Sequence, residues 1–230
     1  SIITPIGLDH LDWLPKNEQV IEKIPDIDIM FSESLPSLNE AVDYYDIPFK
    51  RFNILMFHPV TTENKIAEYA NNLVNSVLED DGNYIVIKPN NDMGSSLINK
   101  ALKKLENNSR FKIFPSLRFE YFLVLLKNCQ FIIGNSSAGV REAPYYGVTS
   151  IDIGSRQLNR FKSDSVVHCS YDKKEIRLAI EKAKNRTPSK SSHPFGKGQS
   201  DQLFIELLMG AELWSIPCQK QFKDREFSSN

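Results

Sequence analysis

Phe131-Ile-Ile-Gly-Asn-Ser-Ser-Ala-Gly-Val-Arg-Glu142 changes character twice within twelve residues. An apolar run gives way to small, polar, Gly-bearing residues, and Val-Arg-Glu-Ala then opens a helical pattern. Strand, tight turn and helix start in that order leave backbone N–H groups unpaired at the turn. Those donors and the helix dipole together favour an anion such as phosphate. The hydroxyls of Ser136 and Ser137 add donors, and Glu142 follows within the helical segment. The same residues also suit an ordinary Ser/Asn helix cap. The surrounding chain decides between the two.

Outward from this stretch, short apolar runs alternate with helical spacing. Asn53-Ile-Leu-Met-Phe57, Tyr84-Ile-Val-Ile87, Phe111-Lys-Ile-Phe114, Phe131-Ile-Ile133, Thr149-Ser-Ile-Asp-Ile153 and Val166-Val-His-Cys169 read as strands. Their compact apolar character suits strands buried on both faces. Helical patterns lie between them: Ile66 to Leu78, a segment capped by Ser95 and Ser96 and running to Leu105, Phe119 to Leu126, and Val140 to Tyr146. Another runs from Lys173 to Lys184. Alternation with short links predicts βαβ units: an α/β fold with a Rossmann-like parallel sheet and helices on both faces.

The flanks differ. Residues 1–50 read as a lead-in or interdomain segment, with no clear period in Ser1 to Lys23, a short alternating run Asp26-Ile-Asp-Ile-Met30, and a helix from Leu38 to Tyr45 stopped by Pro48. Residues 51–200 form the nucleotide-binding domain on this reading, ending in a loop rich in Ser, Pro, Lys and Gly from Asn185 to Ser200. Residues 201–230 give an amphipathic helix from Asp201 to Trp214, stopped or kinked by Pro217, then a polar, frayed tail from Gln219 to Asn230.

Composition removes several classes of function. A formal net charge of −1 leaves no electrostatic footprint for nucleic acid or an anionic membrane. No apolar run approaches the roughly 20 residues that span a bilayer, and the start has no signal-peptide pattern. Cys129, Cys169 and Cys218 are an odd count, far apart, which argues against a disulfide framework or zinc site and for a reducing cytoplasm. A chain starting at Ser1 is expected to be a processed form or a piece of something longer. Gly-x-Gly-x-x-Gly, Gly-x-x-x-x-Gly-Lys-Ser/Thr and Gly-x-Ser-x-Gly are all absent.

In open parallel sheets ligands bind beyond the carboxyl ends of the strands, where strand order switches. Five consecutive strand ends here carry polar, turn-forming residues: His58-Pro-Val-Thr-Thr-Glu63, Lys88-Pro-Asn-Asn-Asp-Met-Gly-Ser95, Pro115-Ser116, Gly134-Asn-Ser-Ser137 and Gly154-Ser-Arg-Gln-Leu-Asn-Arg160. Together they predict a crevice for a phosphorylated ligand. His58 is either a satisfied structural histidine or a diphosphate contact, neutral or protonated. Arg156 either forks onto phosphate or anchors its loop to a carboxylate. His168 and His193 are left without a role.

With these residues laid out, the chain resembles the C-terminal half of the UDP-N-acetylglucosamine 2-epimerases. The motifs that carry the resemblance are His58-Pro-Val-Thr-Thr-Glu63, Pro89-Asn-Asn-Asp-Met-Gly94, Gly134-Asn-Ser-Ser-Ala-Gly-Val-Arg-Glu-Ala-Pro144 and Gly154-Ser-Arg-Gln157. They are similar to the hydrolysing branch that makes sialic-acid precursors; an Asp-Ser-Gly-Gly turn, usual in the non-hydrolysing branch, is absent. The resemblance implies the C-terminal domain of a GT-B fold, no cofactor, no metal, a homo-oligomer, and UDP-N-acetylglucosamine or UDP as ligand. It implies elimination of UDP to a 2-acetamidoglucal, then hydration to N-acetylmannosamine. It assigns His58 to catalysis at the leaving diphosphate. It assigns Asn90, Phe122, Asn135, Ser136, Ser137, Glu142 and Arg156 to UDP, with the two serines on the diphosphate, Glu142 on the ribose and Phe122 at uracil. The carboxylates that move sugar-ring protons lie in the family's N-terminal half, which has no counterpart in Ser1 to Lys23. The chain is therefore expected to bind UDP weakly and to turn over nothing alone. The competing expectations are the UDP-sugar half of a GT-B glycosyltransferase and a UDP-sugar-binding module without chemistry.

Overall fold

The computed structural model describes residues 25–158, 163–187, 191 and 198–215. These fall into two compact units, one drawn from Glu33–His193 and the other from Ser1–Ser32 together with Pro194–Asn230. The expectations for Ser1 to Lys23, His193, Pro217 and the tail from Gln219 lie outside the described residues.

The larger unit is built on six parallel strands: β1 (Asn53–Met56), β2 (Tyr84–Ile87), β3 (Phe111–Phe114), β4 (Phe131–Gly134), β5 (Thr149–Ile153) and β6 (Val166–Cys169). Their order across the sheet is β3-β2-β1-β4-β5-β6. Succession therefore reverses between β1 and β4, and the loops leaving those two strands diverge to opposite faces. In doubly wound sheets the carboxyl edge at such a reversal is where ligands bind.

Alternating side chains fill both faces, as the apolar runs predicted. Leu55, Val86, Phe131, Ile133, Ile151 and Ile153 are buried with residues of α3 (Ile66–Glu79), α4 (Ser95–Leu102) and α7 (Lys173–Lys184). Residues of opposite parity, Ile54, Ile85 and Ile132, are buried too, so the second face is also covered. There α6 (Ala138–Arg141) lies close: a Cβ on Gly139 would sit 2.3 Å from Ser150 Oγ and 3.9 Å from Ile132 Cγ2. Helix α5 (Phe119–Asn128) buries Phe122 through Leu126. Helix α2 (Leu38–Tyr44) starts at a capping box, in which Ser37 accepts the Glu40 N–H and Glu40 accepts the Ser37 N–H.

Several local expectations are corrected. Asp26 to Met30, alternating in sequence, belongs to the short helix α1 (Pro25–Met30). Helix α4 is capped not by Ser95 or Ser96 but by Gly94, whose φ of +100° is open to glycine. The segment expected as one helix from Val140 to Tyr146 is α6 followed by a 3-10 turn, Ala143–Tyr146. Pro144, with no N–H, cannot continue the α-helical ladder. In the smaller unit, Asp201 to Trp214 is split at Gly210 into α8 (Ser200–Met209) and α9 (Ala211–Ser215). The Ser200 N–H at the start of α8 points at both carboxylate oxygens of Asp28, each 3.1 Å away.

Candidate functional site

The site is assembled where β1 and β4 end side by side. Gly134, the last residue of β4, has φ +139°, and a Cβ there would lie 1.8 Å from the Met56 carbonyl oxygen. Only glycine lets the two strand ends approach this closely. The Asn135 N–H then donates to Met56 O at 3.1 Å. Its carboxamide pairs with the backbone of His58 in both directions, Oδ1 accepting the His58 N–H at 2.7 Å and Nδ2 donating to the His58 carbonyl at 2.8 Å. The Asn135 carbonyl accepts Arg156 Nη1 at 3.1 Å and Gln157 Nε2 at 2.9 Å. Asn135 and Gln157 are both 0% exposed. One residue thus joins the loops after β1, β4 and β5.

The loop after β2 joins through His58. The Asn90 N–H donates to His58 Nδ1 at 3.2 Å, so the neutral ring carries its proton on Nε2. The exposed Asn90 carboxamide donates to Asp92 Oδ2. Burial, and next the charge of Arg156, hold the His58 imidazole below its ordinary range. At neutral pH His58 is an uncharged N–H donor beside a guanidinium. The loop after β3 goes elsewhere: the Arg118 N–H donates to Tyr45 Oη at 2.9 Å, beside stacked Tyr44 and Tyr121. Four of the five predicted rim loops meet.

Ser136 and Ser137 follow Asn135, both half-buried. Ser137 holds the N-cap position of α6 with helical backbone and no side-chain cap bond. Ser136 Oγ accepts the Ala138 N–H at 3.3 Å. Among the described residues the N–H groups of Ser136 and Ser137 have no protein acceptor. Glu142 sits at the join of α6 and the 3-10 turn, 5% exposed, with Arg141 Nε 3.9 Å away. Phe122 is 7% exposed on α5. Burial and the nearby Glu142 charge push the Tyr146 hydroxyl up to about 12.

Sequence reading passed over Asp152. It lies mid-strand in β5, 2% exposed, with Oδ2 2.7 Å from Nδ1 of His168 on β6. Burial raises its carboxyl above the usual range, against the opposing charges of His168 and Arg156. The signal was the carboxylate inside Ile151-Asp-Ile153, which a strand buried on both faces tolerates only with partners. Ser155 was also missed: its hydroxyl donates to Glu63 Oε1 at 2.8 Å, tying the β5 loop to the β1 loop.

The arrangement gathers two unspent backbone donors, a guanidinium and a neutral imidazole N–H at the switch point, a donor set matched to a dianionic group. One consequence concerns stability. Because the folded state holds His58 below its unfolded value of about 6.5, its contribution is intact above that pH. It is lost as pH falls and the unfolded chain takes up the proton first. From pH 7 to pH 5 the wild type is expected to lose more thermal stability than His58→Gln. Parallel melting curves would contradict this.

The family model described as UDP-N-acetylglucosamine 2-epimerase matches residues 19–209. A UDP-N-acetylglucosamine 2-epimerase of Neisseria meningitidis is 44% identical over 204 residues, covering 87% of this chain and 54% of that protein. A hydrolysing UDP-N,N'-diacetylbacillosamine 2-epimerase of Legionella pneumophila is 26% identical over 200 residues, covering 81% and 53%. The crystal structure of Methanocaldococcus jannaschii UDP-GlcNAc 2-epimerase with UDP-GlcNAc and UDP superposes with a TM-score of 0.67 at 17% identity, over 86% of this chain and 56% of that one. The chain thus spans about half the length of the curated relatives it matches. With most of its length matched by the family model and 44% identity to one such enzyme, the chain belongs to the UDP-N-acetylglucosamine 2-epimerase family.

Proposed function

We propose that this chain is the UDP-binding half of a hydrolysing nucleotide-sugar 2-epimerase. The observation that carries the reading is the donor set at the β1/β4 switch. The Ser136 and Ser137 N–H groups, Arg156 and the His58 Nε2–H converge by chain position on loops joined through Asn135. The diphosphate binds there, and Glu142 takes the ribose hydroxyls. In the reaction the C1–O bond to UDP breaks and the C2 proton leaves, giving a 2-acetamidoglucal; water then adds across that double bond to release the 2-epimeric free sugar. The donors hold the negative charge that grows on UDP as it departs, which favours the transition state over the bound sugar nucleotide. A neutral His58 donates its Nε2–H hydrogen bond to that leaving group. The name of the Legionella relative favours the hydrolysing branch.

Calorimetric titration with UDP tests the reading. UDP is expected to bind, with Arg156→Ala weakening it roughly tenfold to a hundredfold through loss of a charge-assisted contact. Ser136→Ala, which removes a neutral donor, should cost about twofold to tenfold. The chain by itself is expected to release no N-acetylmannosamine from UDP-N-acetylglucosamine. Absence of UDP binding at millimolar concentration would refute the assignment.

A further inference from the structure

We propose that Asn135, expected from the resemblance to contact UDP, is instead with Gln157 a positioning residue, the two fixing His58 and Arg156 through one shared peptide without touching the nucleotide. The inference rests on the UDP-binding reading for its purpose but not for its geometry. Asn135 is fully buried, and both ends of its carboxamide are committed to the His58 backbone in the pattern of a strand rung. A side chain so occupied sets where His58 stands. The Asn135 carbonyl has two lone pairs; Gln157 Nε2 takes one and Arg156 Nη1 the other. Gln157 thereby confines the guanidinium to the remaining direction on that oxygen.

Gln157 is a poor choice for stability alone. It is fully buried, and its Oε1 has no partner among the described residues. A buried unpaired amide oxygen costs about 1–3 kcal/mol, which an apolar side chain of equal length would avoid. The Nε2 bond to the carbonyl that also holds Arg156 is what such a residue would forfeit. Ser155, held by Glu63, anchors the same loop from its other side. The two anchors flank Arg156, so the guanidinium enters the site from a fixed stem.

Gln157→Met keeps the chain length and removes both amide groups. The direct readout is the His58 titration followed by NMR in the ligand-free protein, with His58→Gln identifying its signal among the four histidines. The groups about His58 are Arg156, Asp92, Glu63, Tyr69 and Tyr171. If Gln157 holds Arg156 in place, Gln157→Met moves the His58 midpoint upward, toward that of Arg156→Ala. Gln157→Met then adds nothing further in the Arg156→Ala background. UDP affinity should fall roughly threefold to tenfold in Gln157→Met and change little in the Arg156→Ala background. A purely structural role would move the melting temperature and leave the His58 midpoint where it was. An unchanged midpoint in Gln157→Met, while Arg156→Ala shifts it, overturns the proposal. If the wild type fails to bind UDP, the nucleotide reading falls and the NMR arm still decides the positioning role. Gln157→Leu serves as the second variant if the methionine protein does not fold.

Discussion

Gly134→Ala is expected to cost about 4 kcal/mol or more, lowering the melting temperature by roughly 8–16 °C or preventing folding of the larger unit. The new Cβ would stand 1.8 Å from the Met56 oxygen, 2.6 Å from its carbonyl carbon and 3.3 Å from the Phe57 nitrogen. All three are main-chain atoms, so no rotamer change relieves the overlap. The φ of +139° adds strain that an L side chain carries at about 1–3 kcal/mol. Nor can β1 retreat, because its other edge is paired to β2 in register from Asn53↔Tyr84 to Met56↔Ile87. Separating β1 from β4 would also part Asn135 from Met56 and His58, so the site goes with the sheet. Thermal and urea denaturation read the effect directly, and a variant melting within 2 °C of wild type would contradict the geometry.

This position also shows what a linear reading can and cannot reach. The strands β2, β3, β5 and β6 were legible to the residue because each is a short apolar run bounded by turn formers. Helix α7 was legible from Lys173 to Lys184; the structure adds its cap, Asp172, whose carboxylate accepts the Lys174 and Glu175 N–H groups. Strand order was not legible, since it depends on which crossover packs on which face. The pairing of Asn135 with His58 depends on that order, because the two are 77 residues apart and meet only through the adjacency of β1 and β4.

Residues placed directly after apolar runs, such as His58, Ser136 and Arg156, stood out as rim candidates for a local reason. Asp152 and Gln157 gave no such signal. The first is enclosed within a strand, and the second acts through a carbonyl on another loop. The break at Gly210 was hidden by the continuous apolar spacing on either side of it. The 3-10 turn after α6 was masked in the same way, although Pro144 marked it.

Gly154→Ala is expected to be the second most damaging change, for a reason that a neighbouring substitution can partly undo. Gly154 has φ +79°, and a Cβ there would lie 2.0 Å from Tyr171 Cζ and 2.3 Å from its hydroxyl. That ring is not free to yield, since it stacks on Tyr69 at 3.8 Å between centroids and meets Phe57 edge-on. The left-handed backbone costs alanine about 1–2 kcal/mol, and forcing the ring aside adds about 1–3 kcal/mol. In a Tyr171→Ala background the second contribution vanishes and the first remains. A double-mutant cycle should therefore give a coupling of about 1–3 kcal/mol, with Gly154→Ala still destabilising by about 1–2 kcal/mol when the ring is gone. UDP affinity should fall in Gly154→Ala, because the displaced loop carries Arg156, Gln157 and the Ser155 contact to Glu63. Equal costs in both backgrounds would remove the ring from the explanation. No cost in the Tyr171→Ala background would remove the backbone conformation from it. Gly134 has no comparable rescue, because its obstacle is the peptide of β1 itself.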